Sequence, residues 1–260
     1  MPVVHFKGRV IPEFSEINVR GLPPIAFTEP PTDGLPNGLH IVTTITIENS
    51  EIDLECDVKE YEPRLMGWIH NRVIGLARAI VDLYGFTLGV SLLVVLDKFV
   101  DENRSEKKLL ILNHSLQECC TLTSFEPGEK KYLHPNRALE MVLGDGGLFL
   151  GLRDLISAIT YPNIAAINCA RAVESLRILA FPDEEKKDGW KRLRSDLNLS
   201  LEYLLFITRT SEKPRHGDRS YIDGPTIEEV TRRAWIVFDR FLHYRARGNR
   251  PLKAPEFQLL

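Results

Sequence analysis

Cysteine is scarce in this chain. There are four in 260 residues, at positions 56, 119, 120 and 169. None belongs to a C-x-x-C pair, and the adjacent Cys119 and Cys120 have poor geometry for a disulfide, so neither a stapled secreted scaffold nor a thiol-rich metal site is indicated. Reduced core thiols in a cytoplasmic protein are expected. Long apolar runs are missing too. The longest, FTLGVSLLVVL at 86–96, falls short of the roughly 18 to 20 residues that cross a bilayer and reads as a buried strand, so no membrane is expected. The opening MPVVHFKGRVIPEF has no apolar segment behind a basic start, which argues against a signal peptide. Histidines at 5, 40, 70, 114, 134 and 243 are scattered, with no H-E-x-x-H and no His/Cys cluster. No metal site and no cofactor are expected.

What the chain does have is an uneven distribution of charge. Residues 1–130 carry 12 Lys and Arg against 19 Asp and Glu, a net of −7, whereas residues 131–260 carry 21 against 17, a net of +4. An acidic half joined to a basic half suggests two modules, the basic one suited to an anion such as a nucleic-acid backbone.

The hydrophobic period divides the chain at the same place. In the first half, LHIVTTITIENS and EIDLECDVKE alternate apolar and polar residues around Asn49-Ser50, the pattern of a hairpin. A helix is expected from Pro63 to Tyr84, with Leu65, Ile69, Val73, Leu76, Ile80 and Leu83 on one face and Gly85 as its stop. A strand follows at 88–99, then a charged turn, then short strands at 109–112 and 119–125. After about residue 132 the period is helical throughout. The fold class is therefore α+β: a mostly antiparallel sheet with one long helix in domain 1–130, followed by an all-α helical bundle in domain 131–260. Gly144-Asp145-Gly146-Gly147 imitates a phosphate loop but lacks the Lys-Ser/Thr of that motif, and a helix stop and restart explains it better. Ser200 is placed to cap a helix at 201 onwards, and Thr226-x-x-Glu229 has capping-box spacing for the last one. Trp235, Phe238, Phe241 and Tyr244 give that last helix more apolar surface than one face needs, which points to a homodimer through the helical half.

Candidate chemistry concentrates in LLFITRTSEKPRHGDRSYIDGP, residues 204–225. Arg209 stands seven positions before His216, and on an ideal helix the two would share a face about 10 Å apart. Pro214 removes a donor and disfavours helix at Lys213, so a turn is expected there that brings both side chains together. Histidine titrates near neutral pH and passes protons. Arginine binds phosphate bidentately. Together they suffice to cleave RNA without a metal; the alternative is a solvated surface loop. One helix earlier, Glu174 has Arg171 and Arg177 three residues to either side. Either the three form an intrahelical salt-bridge row, or the carboxylate orients an arginine towards an anion.

A helical bundle whose late helix ends in Arg-x6-His-Gly resembles the HEPN superfamily of ribonuclease-like domains, and the glycine after the histidine is similar to the abortive-infection C-terminal family. The match is Arg209, six residues, then His216-Gly217; it departs from the family at Thr210, where Asn or Asp is usual. The helix with Arg171 and Glu174 resembles the family's early helix that faces the site. The resemblance covers 133–247. It implies His216, Arg209 and Arg215 as catalytic residues, and Arg171, Glu174 and Arg219 as substrate contacts. It further implies RNA as substrate, 2′,3′-cyclic phosphate ends, a homodimer whose two Arg/His sets line one cleft, and a role in defence or stress with residues 1–130 as sensor or regulator. HEPN-like domains also act as non-catalytic nucleic-acid or protein binding modules, and the fold alone does not choose between the two.

Overall fold

A computed structural model of the chain describes residues 3–13, 17–31, 37–59, 61–101, 103, 105–109, 133–218 and 222–260. Two compact units emerge, Met1–Ile111 and Leu112–Leu260. The expected boundary near 130, the strand expected at 119–125, most of that at 109–112, and Cys119 and Cys120 lie outside the described residues.

The N-terminal unit is an antiparallel sheet with one long helix. Its strands are β1 (Val3–Ile11), β2 (Ile25–Glu29), β3 (Leu39–Glu48), β4 (Glu51–Val58), β5 (Leu93–Val100) and β6 (Glu106–Lys108), in the order β2-β3-β4-β1-β5-β6. Alternation sorts the two faces. Val4, Phe6 and Val10 of β1, Ile41 and Ile45 of β3, and Leu54 and Cys56 of β4 are buried. On the other face His5 and Lys7 pair with Asp53, and Arg9 with Asp97. Asn49-Ser50 makes the expected hairpin: both residues have positive φ, 51° and 67°, and Glu48 stands opposite Glu51, the twist that two-residue hairpins favour.

Helix α1 (Met66–Leu88) follows a 3-10 turn at Pro63–Leu65. It runs past Gly85 and ends at Gly89, whose φ is 68° and whose N–H reaches the Gly85 carbonyl. Gly85 is buried instead, and a Cβ there would lie 2.7 Å from the Val90 carbonyl oxygen. The buried line is Ile69, Val73, Ala77, Val81 and Gly85, stepping by four, and Leu83 is exposed. Of the expected face, Leu65, Ile69 and Val73 are buried, Leu76 and Ile80 pack partly against the core, and Leu83 alone departs.

The described elements of the C-terminal unit are all helices: α2 (Pro135–Gly144), α3 (Gly146–Thr160), α4 (Ala165–Ala180), α5 (Lys186–Asp196), α6 (Leu201–Arg215) and α7 (Gly224–Ala246). The restart at Gly144-Asp145 is as expected. Asp145 Oδ1 accepts from the N–H groups of Gly147 and Leu148 at 3.0 and 3.2 Å. Asp145→Ala should therefore cost about 1 kcal/mol of stability, the usual worth of a lost N-cap, read as a lower denaturant midpoint with an unchanged m-value. The hydroxyl of Ser200 caps α6 by accepting from the Tyr203 N–H. Helix α4 is central. It packs against α3, α5, α6 and α7, and its buried Ala165, Ala166, Ala170 and Ala172 permit close approach. Gly151 of α3 fits against it, where a Cβ would come within 2.7 Å of Ser175 Oγ.

Two expectations about α7 are corrected. Thr226 is not the cap; Asp223 is, with Oδ1 accepting from the Thr226 N–H and Oδ2 from its hydroxyl, both at 2.8 Å. Glu229 is held by Arg232 and Arg233 instead. Nor is there a spare aromatic face. Phe238, Phe241 and Tyr244 are buried in the unit's own core, and Trp235 packs partly against it. The chain beyond α7 adds to the same core, in which Leu252 and Phe257 are buried. Among the described residues no helix is long and apolar enough to cross a membrane.

Candidate functional site

Helix α6 carries the basic stretch. It continues through Pro214 to Arg215, and the chain turns only at His216 and Gly217, whose φ is 87°. The turn expected at Pro214 does not occur. A proline in the last helical turn forfeits one backbone hydrogen bond. The hydroxyls of Thr208, Thr210 and Ser211 bond back to carbonyls about one turn earlier, a pattern that eases bending of the backbone. His216 closes the helix, its N–H reaching the Lys213 carbonyl at 3.0 Å, and is itself exposed.

This geometry separates Arg209 from His216. Helical side chains lean towards the helix N-terminus, and Arg209 Nη1 lies 3.8 Å from Glu202 Oε2, seven residues back and away from the histidine. Both partners are well exposed, so the pair contributes little. Arg209 and His216 are not brought together.

Arg215 is placed otherwise. Its Nη1 donates to Glu174 Oε2 at 3.1 Å, crossing from α6 to α4. The ammonium of Lys186, the first residue of α5, lies 3.4 Å from Glu174 Oε1. One carboxylate thus ties three helices together. Arg171 pairs with Asp154 of α3 at 3.3 Å. Burial raises the Asp154 carboxyl pKa, against the pull of Arg171 and Arg153. Of the two readings of the α4 row, the intrahelical one is absent: Arg171 turns to α3, Glu174 to α5 and α6, and Arg177 lies near Trp190 of α5. Arg219 lies outside the described residues. Lys186 is the residue that sequence reasoning missed. The signal for it is the short connection after α4, which folds the first turn of α5 back against the end of α4.

The buried thiols are not nucleophiles. Burial pushes Cys56 up to about 12 and Cys169 to about 11, far from the thiolate range that reactivity needs. No group of three or more His, Cys, Asp or Glu among the described residues could hold a metal ion.

Comparison with protein families fits the two units. The model for the N-terminal domain of a domain of unknown function, DUF8168, matches residues 4–110, and the model for its C-terminal domain matches 136–246. The chain belongs to the DUF8168 family. The C-terminal DUF8168 domain spans α2 to α7 and includes Glu174, Lys186, Arg215 and His216; the N-terminal one holds the sheet and α1. No curated protein and no solved structure matches the chain.

Proposed function

We propose that the C-terminal DUF8168 domain is a metal-independent endoribonuclease of the HEPN type, with His216 moving the proton and Arg215 holding the phosphate. The observation that supports this is the Glu174–Arg215 pair, which fixes a guanidinium beside an exposed histidine at the end of α6. A guanidinium held through Nη1 retains further N–H groups for phosphate oxygens. In the reaction the ribose 2′-oxygen attacks phosphorus, the bond to the 5′-oxygen breaks, and a 2′,3′-cyclic phosphate remains. The 2′-OH gives its proton to a base, and an acid protonates the leaving oxygen. One His216 serves one of these roles. The second comes from a partner chain in a homodimer formed through the helical domain. The net charge of +4 on residues 131–260 favours RNA at this half. The protein acts in the cytoplasm in defence or stress, with the N-terminal domain as sensor or regulator.

The test is incubation with single-stranded and structured RNA in EDTA, with analysis of the ends produced. Cyclic phosphate ends are expected, and their absence under every trigger tried overturns the catalytic reading. Arg215→Lys should lower cleavage by about 10- to 100-fold, the worth of a charge-assisted hydrogen bond, because lysine lacks the planar fork. Arg209→Lys should have little effect. Equal activity of both variants to wild type removes phosphate recognition from the end of α6.

A second reading is a non-catalytic nucleic-acid or protein binding module. The turn of Arg209 towards Glu202 favours it, since His216 is then left with one neighbouring arginine. RNA retained on the protein without new ends would be its signature.

A further inference from the structure

Arg177 is 9% exposed, and its Nε is buried with no hydrogen-bond partner. The carboxylate nearest to it along α4 is Glu174, one turn back, whose two oxygens serve Arg215 and Lys186. Glu184, in the connection to α5, is taken by Arg192. Among the described residues Arg177 has no carboxylate partner. It is nevertheless accommodated with care. Its guanidinium carbon lies 5.8 Å from the centre of the Trp190 ring, and a Cβ at Gly189 would come within 3.3 Å of its Nη1. A buried cation without a counter-charge destabilises a fold, so its retention calls for an anion that binds there.

We infer that Arg177, Lys186 and Arg215 form a site for a phosphate group around Glu174, where α4, α5 and α6 meet. Lys186 and Arg215 each touch one oxygen of Glu174, and Arg177 stands one helical turn away, with about 5–6 Å between Cβ atoms. Two cations hold one carboxylate, and Arg177 adds a third on the next turn of the same helix, directed to α5. A phosphate group suits this set because its oxygens accept both guanidinium forks and an ammonium at once. The inference rests on the ribonuclease reading for its preferred source, the RNA phosphodiester that Arg215 holds. Free phosphate would engage the same groups.

The experiment uses the full chain in phosphate-free buffer, with inorganic phosphate and a short 2′-O-methyl oligoribonucleotide as probes. Binding is read by calorimetry and by the rise in melting temperature that a ligand of the folded state produces. Wild type should bind both. Arg177→Met should weaken each by about 10- to 100-fold, the scale of a lost charge-assisted hydrogen bond, and Arg177→Lys by less. Without ligand, Arg177→Met should melt at or above the wild-type temperature, because it removes a buried charge and keeps the packing. A lower melting temperature with unchanged binding would make Arg177 structural and overturn the site. Phosphate binding lost in Arg177→Met, with no oligonucleotide binding, would keep the site and sink RNA as its source. RNA cleavage unaffected by Arg177→Met, with no phosphate binding to wild type, would overturn the site and leave the ribonuclease reading intact.

Discussion

Arg240→Ala should destabilise the helical domain by about 3–5 kcal/mol, the range for deleting a buried charged group whose partners stay behind. Arg240 is 6% exposed. Its Nη1 donates to the carbonyls of Leu197 and Asn198 at 2.8 and 2.7 Å, and its Nη2 to that of Gln258 at 2.6 Å. Burial lowers its pKa, opposed by Tyr203 and Asp239. The three carbonyls belong to two chain segments, the α5–α6 connection and the end of the chain, which backbone bonds such as Leu252 N–H to the Asp196 carbonyl also tie together. Asn198 Nδ2 also donates to the Phe257 carbonyl at 2.7 Å, and Arg247 pairs with Glu256. Each carbonyl left buried and unpaired costs about 1–3 kcal/mol, and fraying of the tail into water recovers part of that. Lysine cannot fork to three carbonyls, so Arg240→Lys should recover only a minority of the loss. The measurement is denaturant unfolding of the wild type, of Arg240→Ala, and of a chain ending at Ala246. If Arg240 acts by docking the tail, the two losses overlap in the combined variant rather than add. A loss below about 1 kcal/mol for Arg240→Ala would show the three bonds to be replaceable by water.

Which features could be read from sequence follows from how far each signal reaches along the chain. Alternation in β3 and β4 and the Asn49-Ser50 turn involve residues within a few positions of each other, and both are as expected. So are the helix restart at Gly144-Asp145 and the cap at Ser200, where a side chain bonds a backbone N–H three residues on. Pro214 departs from expectation because its penalty, though also local, is small in the last turn of a helix, where only one backbone hydrogen bond is forfeited. The aromatic residues of α7 depart from expectation for the opposite reason: the core that buries them is assembled from other helices and the tail, far along the chain.

The candidate site follows the same rule. Arg215, His216, Arg171 and Glu174 were all visible as residues of the right kind. Spacing along one helix could suggest Arg171–Glu174–Arg177 or Arg209–His216, but the contacts formed are Glu174–Arg215, Glu174–Lys186 and Arg171–Asp154, each between helices. Helical periodicity reports which residues share a face. It does not report which neighbour that face meets, and here the neighbours decide which arginine stands by the histidine and which one is buried without a carboxylate.

His216→Ala should reduce RNA cleavage by about 10²- to 10⁴-fold, the usual contribution of a positioned acid or base. Stability should change little, since the side chain is exposed and the bond that closes α6 is made by the backbone N–H of residue 216, which alanine retains. EDTA should not alter wild-type cleavage, since no step uses a metal. If both chains of a dimer complete one site, a heterodimer of one wild-type and one His216→Ala chain keeps only one of the two histidines and should cleave at far below half the wild-type rate. Half the wild-type rate in that heterodimer would confine the chemistry to a single chain and remove the composite site. Cleavage by His216→Ala at the wild-type rate would place the active site elsewhere. No cleavage by wild type under any trigger, together with RNA binding that survives His216→Ala and falls in Arg215→Ala, would make the end of α6 a phosphate clamp whose histidine carries no proton.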